Sequence, residues 1–133
     1  MRILIIDNDL ETTKMLSKYF LAKSILTVVF NDPLKGLRAI QQEKYDVILL
    51  DISMPQFSGM DIIQTLEKDN ILQNQNILIF SGTLNYPNEI NDLLKKEGIK
   101  GYLKKPIELD EILKTIAKEL NLQKTPTTET IQT

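Results

Sequence analysis

The chain's 133 residues, 42% hydrophobic and 26% charged, describe one ordinary globular domain with a core of its own. With no histidine and no cysteine it excludes Ser-His-Asp and Cys-His catalysis and ordinary zinc sites, leaving carboxylates, amides, hydroxyls, lysines and hard metal ions. A net charge of −2 supplies no basic field for nucleic acid, and no apolar run is long enough for a membrane span or signal peptide, so the expected compartment is the cytoplasm.

Short apolar runs alternate with helical patterns along most of the chain. Residues 3–6 read as a first strand, ended by Asp7-Asn8-Asp9, and residues 26–30 as a second. Asp32-Pro33 looks like an N-cap followed by proline at the first helical position, opening a helix with Leu34, Leu37 and Ile40 inward. Residues 47–50 form a third strand that ends at Asp51, and residues 77–80 a fourth that ends at Ser81. Pro87 opens another helix, for which Gly98 after Lys95-Lys96 looks like the stop. A weaker fifth strand runs from residue 101 to about 103, just before Lys105.

The last helix carries an apolar stripe of Leu109, Ile112, Leu113, Ile116, Ala117 and Leu120, with Glu108, Asp110 and Glu111 at its positive N-terminal end. The central strands are apolar throughout rather than alternating, as parallel strands covered on both faces should be. Five strands alternating with five helices predict a parallel α/β sheet with right-handed crossovers over residues 1–122. Residues 123–133 are polar and threonine-rich and read as a disordered tail, or else as a linker.

In open parallel sheets, ligands bind beyond the carboxyl ends of the strands, where the strand order reverses. The polar residues named above all fall at that edge. Singly each has a bland reading: Asp9 as a helix cap, Ser81-Gly82 as a bend, Lys105-Pro106 as a surface turn. Together they suggest a site. Asp7 and Asp51 on adjacent strands would be like charges within several Å, a costly pair unless a cation settles it. Few hard oxygen ligands with room for water and phosphate suit Mg²⁺ better than Ca²⁺. A hydroxyl and a lysine converging there complete the equipment of phosphoryl transfer.

These residues also match a family. DISMPQFSGMDI over residues 51–62 resembles the phosphoacceptor segment of response-regulator receiver domains: an Asp, Met-Pro three and four residues on, then Gly. IIDND over 5–9, FSGT over 80–83 and GYLKKP over 101–106 follow in the family's order, across roughly residues 2–120. The resemblance implies the flavodoxin-like, doubly wound sheet of order 2-1-3-4-5. It implies that Asp51 is the phosphoacceptor and that Asp7, Asn8, Asp51 and the backbone carbonyl of Ser53 hold Mg²⁺. Ser81 and Lys105 would bind phosphoryl oxygens, Gly82 would keep the phosphate accessible, and the Lys105-Pro106 peptide would be cis. Lys104 is the rival lysine, but Lys105 directly precedes the proline. Ser81 and Tyr102 would form the switch, against a plainer reading of Tyr102 as a half-buried edge aromatic.

One departure stands out. The family's second acid after the first strand is Asn8 here, which predicts weaker Mg²⁺ binding unless Asp9 takes over. Ser53 and Thr83 stand where fast hydrolysers carry acids or amides that orient water, which predicts a longer-lived aspartyl phosphate. The resemblance implies a phosphohistidine donor, which a chain without histidine cannot carry itself, so a histidine kinase or histidine-phosphotransfer protein is the expected partner.

A stand-alone receiver would signal by binding a downstream protein as a monomer or a phosphorylation-dependent dimer, through the fourth helix, the Tyr102 strand and the last helix. Two alternatives remain at this point. A pseudo-receiver that binds partners without phosphorylation draws its support from Asn8. A haloacid-dehalogenase-like phosphatase would use Asp7-Asn8-Asp9, Ser81 and Lys105, but has Glu11 where it needs a hydroxyl and leaves the Asp51 segment unexplained.

Overall fold

Strands that are apolar at every position need cover on both faces, and the fold supplies it. The computed structural model describes residues 1–82, 87–106 and 108–120. Its elements in chain order are β1 (Arg2–Ile6), α1 (Leu10–Ala22), β2 (Leu26–Phe30), α2 (Pro33–Gln42), β3 (Val47–Leu50) and α3 (Gly59–Lys68), then a short 3-10 turn (Leu72–Asn74), β4 (Ile77–Ser81), α4 (Pro87–Leu94), β5 (Ile99–Lys104) and α5 (Leu109–Glu119). The five strands are parallel, in the order β2-β1-β3-β4-β5. The reversal of strand order falls between β1 and β3. The expected tail over 123–133, the domain limit at 122 and Thr83 lie outside the described residues.

Alternate residues of each central strand enter two separate cores. Leu4, Ile6, Ile48, Leu50, Ile77 and Ile79 pack with Leu37 and Ile40 of α2, Ile62, Ile63 and Leu66 of α3, and Leu93 of α4. Ile3, Ile5, Val47, Leu49, Leu78 and Phe80 pack with Leu16 and Phe20 of α1 and Ile112 and Ile116 of α5. Both faces are therefore dry. At about 25 cal/mol per Å² of apolar surface removed from water, burial of this kind is the main favourable term holding the layers together.

Three readings of the sequence change in the fold. β5 begins at Ile99, two residues before the apolar run, because this edge strand alternates: Ile99, Gly101 and Leu103 are buried while Lys100 and Tyr102 are half-exposed. Leu34 is 46% exposed instead of inward. The cause is Gly36, where an added Cβ would lie 2.8 Å from the Ile6 side chain, so α2 presses this face against β1. Two residues are about 200° apart around a helix, which turns Leu34 away. Gly98, finally, does not terminate α4, which already ends at Leu94. It sits at φ +100°, turning the chain into β5, where a Cβ would fall 1.9 Å from the Leu72 carbonyl oxygen.

Gly98→Ala is accordingly expected to lower the unfolding free energy by more than about 1 kcal/mol, seen as a lower urea midpoint at unchanged slope.

Candidate functional site

Register delivers the site. Ile6 of β1 lies opposite Leu50 of β3, so the next residues, Asp7 and Asp51, leave the sheet at the same level. Both are held by backbone bonds: the Asp51 N–H donates to the Ile6 carbonyl at 2.9 Å and the Asp7 N–H to the Phe30 carbonyl at 3.2 Å. Ser81 ends β4 opposite Lys104, and the Lys105 N–H donates to the Ser81 carbonyl at 3.0 Å. The Lys105-Pro106 peptide is cis.

The centre is a pair of buried acids with one lysine. Asp7 is fully buried and Asp51 is 4% exposed. Lys105 Nζ lies 2.6 Å from Asp7 Oδ2 and 3.6 Å from Asp51 Oδ2, and 4.9 Å from the centre of the Phe80 ring. The second oxygen of each acid takes a backbone donor: Asp9 N–H to Asp7 Oδ1 at 3.0 Å, and Ser53 N–H to Asp51 Oδ1 at 3.0 Å. These donors and the ammonium do not fully compensate. Burial first, and the Asp7 charge second, push the Asp51 carboxyl up to about 6.

Around this centre the structure gathers Ser53 and Ser81, beside the exposed Asn8. Ser81 is fully buried, and its hydroxyl lies 2.9 Å from that of Ser53. Tyr102 is half-buried and its hydroxyl donates to the Ser81 carbonyl at 3.4 Å, a long bond. Gly82 is exposed, and an added Cβ there would make only ordinary contact with Lys105 at 3.5 Å. Asn8 is exposed. Asp9 is the N-cap of α1, its Oδ1 accepting the Glu11 N–H at 3.1 Å and its Oδ2 the Thr12 hydroxyl at 2.8 Å. Its carboxylate is committed to the helix.

One supporting residue was not singled out from the sequence. Asn31 Nδ2 donates to the Asp7 carbonyl at 2.8 Å and lies 3.1 Å from the Thr13 hydroxyl, tying the end of β2 and the first turn of α1 to the acid's backbone. Its only sequence signal is an amide just beyond a strand, hidden beside the capping Asp32. Gly59, the glycine of the 51–62 segment, also supports the site. A Cβ there would lie 2.4 Å from the Asp51 carbonyl oxygen, so α3 can seat its N-terminus under the Asp51 loop only without a side chain.

The donor set is of the kind a hard cation takes: carboxylate oxygens of Asp7 and Asp51, to which Lys105 now supplies the positive charge. Among the described residues no group of three or more His, Cys, Asp or Glu side chains could hold a metal ion, so any cation here would lean on two acids, neutral oxygens and water.

The sequence profile of the response regulator receiver domain matches residues 3–117, and the chain belongs to that family. The receiver domain of the Francisella response regulator 1452 is 30% identical, with a TM-score of 0.77 over 92% of this chain and 98% of that one. The cell cycle transcriptional regulator CtrA of Caulobacter vibrioides is 30% identical over 118 residues, which is 87% of this chain and 48% of that protein. The transcriptional regulatory protein PcoR of Escherichia coli is 27% identical over 112 residues, again 48% of its length. The chain thus spans about half the length of these curated relatives. No helix among the described residues is long and apolar enough to cross a membrane.

The raised Asp51 carboxyl has a consequence for stability. A carboxyl that holds its proton more tightly in the folded chain stabilises the fold while protonated, and that contribution is lost as pH rises from its ordinary 3.8 to about 6. At about 1.4 kcal/mol per pH unit the cost of ionising Asp51 reaches an order of 3 kcal/mol. In metal-free buffer Asp51→Asn is expected to raise the melting temperature at pH 7 by several degrees. The gain should shrink towards nothing at pH 4, and a gain independent of pH would contradict this account.

Proposed function

We propose that this chain accepts a phosphoryl group on Asp51 and uses it to switch a protein-binding face. The observation that carries the reading is the pair of buried carboxylates at the ends of β1 and β3, bracketed by Lys105 beyond β5. In the reaction, an Asp51 carboxylate oxygen attacks the phosphorus of a phosphohistidine on a histidine kinase or histidine-phosphotransfer protein. The O–P bond forms as the P–N bond breaks, and the leaving imidazole takes a proton from solvent. Hydrolysis of the acyl phosphate by water restores the carboxylate and releases inorganic phosphate. The chain thus acts only on its own phosphorylation, in the cytoplasm where the reading places it.

Each residue has a part that its position supports. Lys105 releases Asp7 and pairs with a phosphoryl oxygen, remaining where negative charge accumulates. The Ser53 N–H keeps Asp51 Oδ1 oriented, which leaves Oδ2 to attack. Ser81 donates to a second phosphoryl oxygen, and Gly82 leaves the approach open. Asp7, Asp51, the Ser53 carbonyl and Asn8 would hold Mg²⁺, which when bound neutralises charge on the phosphoryl oxygens. Tyr102 follows Ser81 through their hydrogen bond and alters the exposed face of β5, α4 and α5. Phosphorylation then shifts a pre-existing equilibrium between two arrangements.

Intact mass after incubation with acetyl phosphate and Mg²⁺ tests the acceptor. Wild type is expected to gain one phosphoryl group and Asp51→Asn none. Gain in neither protein would point to a phosphorylation-independent binding module, and gain in both to a different acceptor.

Asn8 gives the cation site one negative charge fewer than two adjacent acids would. Asn8→Asp is expected to bind Mg²⁺ roughly tenfold more tightly by isothermal titration calorimetry. Equal affinities would remove Asn8 from the site.

A further inference from the structure

We propose that the Ser53 hydroxyl is a latch on Ser81: it holds the Ser81 hydroxyl in the resting arrangement, and a phosphoryl group on Asp51 must displace it. The inference rests on the reading of Asp51 as the phosphoacceptor. It assigns to Ser53 a positioning role distinct from its backbone carbonyl.

Ser53 touches both ends of the switch. Its N–H donates to Asp51 Oδ1 at 3.0 Å while its hydroxyl lies 2.9 Å from that of Ser81. Ser81 is fully buried, where a hydroxyl without a partner is costly. A serine hydroxyl has one proton to donate. Either hydroxyl can be the donor in this pair; with Ser81 donating, the Ser53 oxygen and a phosphoryl oxygen on Asp51 compete for its one proton. A charged oxygen accepts a bond roughly twice as strong as a neutral one, so phosphorylation wins the exchange. How decisively it wins depends on what Ser53 offers in return.

The exchange has a route outward. The Ser81 carbonyl accepts the Lys105 N–H at 3.0 Å and the Tyr102 hydroxyl at 3.4 Å. A shift of Ser81 towards Asp51 therefore pulls on both residues of the β5 end at once. Without the Ser53 hydroxyl the resting arrangement loses a hydrogen bond, and the ratio of switched to resting chains rises by about fivefold with no phosphate present.

Amide ¹⁵N–¹H spectra of the full chain test this, with β5 peaks of unphosphorylated and acetyl-phosphate-treated wild type defining a line for each residue. Unphosphorylated Ser53→Ala is expected to move along these lines towards the phosphorylated end. Ser53→Thr, which keeps the hydroxyl, should stay near wild type. In a Ser81→Ala background, Ser53→Ala should add no further displacement, because the latch needs both hydroxyls. Ser53→Gly lacks the hydroxyl equally and repeats the measurement should the alanine variant not fold.

Superposition of Ser53→Ala on wild type overturns the latch, as does a displacement that persists without Ser81. Intact mass separates the two levels: if wild type gains a phosphoryl group yet Ser53→Ala does not move, the latch alone falls. If wild type gains none, the Asp51 reading falls and takes the latch with it.

Discussion

Two carboxylates buried side by side are the constraint around which this molecule is arranged. Ile6 opposite Leu50 in the parallel ladder sends Asp7 and Asp51 out of the sheet at one level, and both faces of that sheet are sealed by apolar side chains. Like charges in a poorly hydrated place repel and lose hydration at once. The surrounding groups answer that cost. Lys105 reaches back from beyond β5, the Ser53 and Asp9 N–H groups cap one oxygen of each acid, and Asn31 holds the backbone of Asp7. The answer is incomplete, since the Asp51 carboxyl still stands near 6. A site left in need of positive charge is suited to a hard cation and to a chemistry that converts one of its carboxylates into a different group.

The same geometry links the acid to the surface. Ser53 follows Asp51 by two residues and meets Ser81 across the gap between β3 and β4. Ser81 in turn carries Tyr102 and Lys105 on its carbonyl. Three hydrogen bonds thus run from the Asp51 carboxylate to an edge strand whose outer positions are half-exposed. Edge position matters because an edge strand can adjust without breaking a ladder on both sides. The chain belongs to the receiver family, and Asn8 stands where the resemblance implies a second acid.

Much of this was legible in the residues. Continuous apolar runs in residues 3–6, 47–50 and 77–80 demanded double cover and hence a parallel sheet with helices on both faces. The Asp32-Pro33 start, the α5 stripe and the capping role of Asp9 follow from local chemistry that acts within one turn of helix, and the structure has all three. What failed had non-local causes. The start of β5 was hidden because an edge strand alternates, Leu34 turned outward because Gly36 admits β1, and Gly98 belongs to a turn packed against Leu72.

The candidate site divides along the same line. The sequence by itself determined which polar residues stand at strand ends, since an acid, hydroxyl or lysine closing an apolar run is visible as a break in pattern. It also determined the limits of the chemistry, because a chain without histidine or cysteine has few groups to use. Only the tertiary structure decided that Lys105 spans both acids, that Ser53 and Ser81 share a hydrogen bond, and that Asn31 and Gly59 hold the Asp7 and Asp51 loops in place. Those contacts join residues far apart in the chain: 98 positions for Asp7 with Lys105, 54 for Asp51 with Lys105 and 28 for Ser53 with Ser81. Separations of that size are closed by sheet register and helix packing, to which a local pattern of residues is blind.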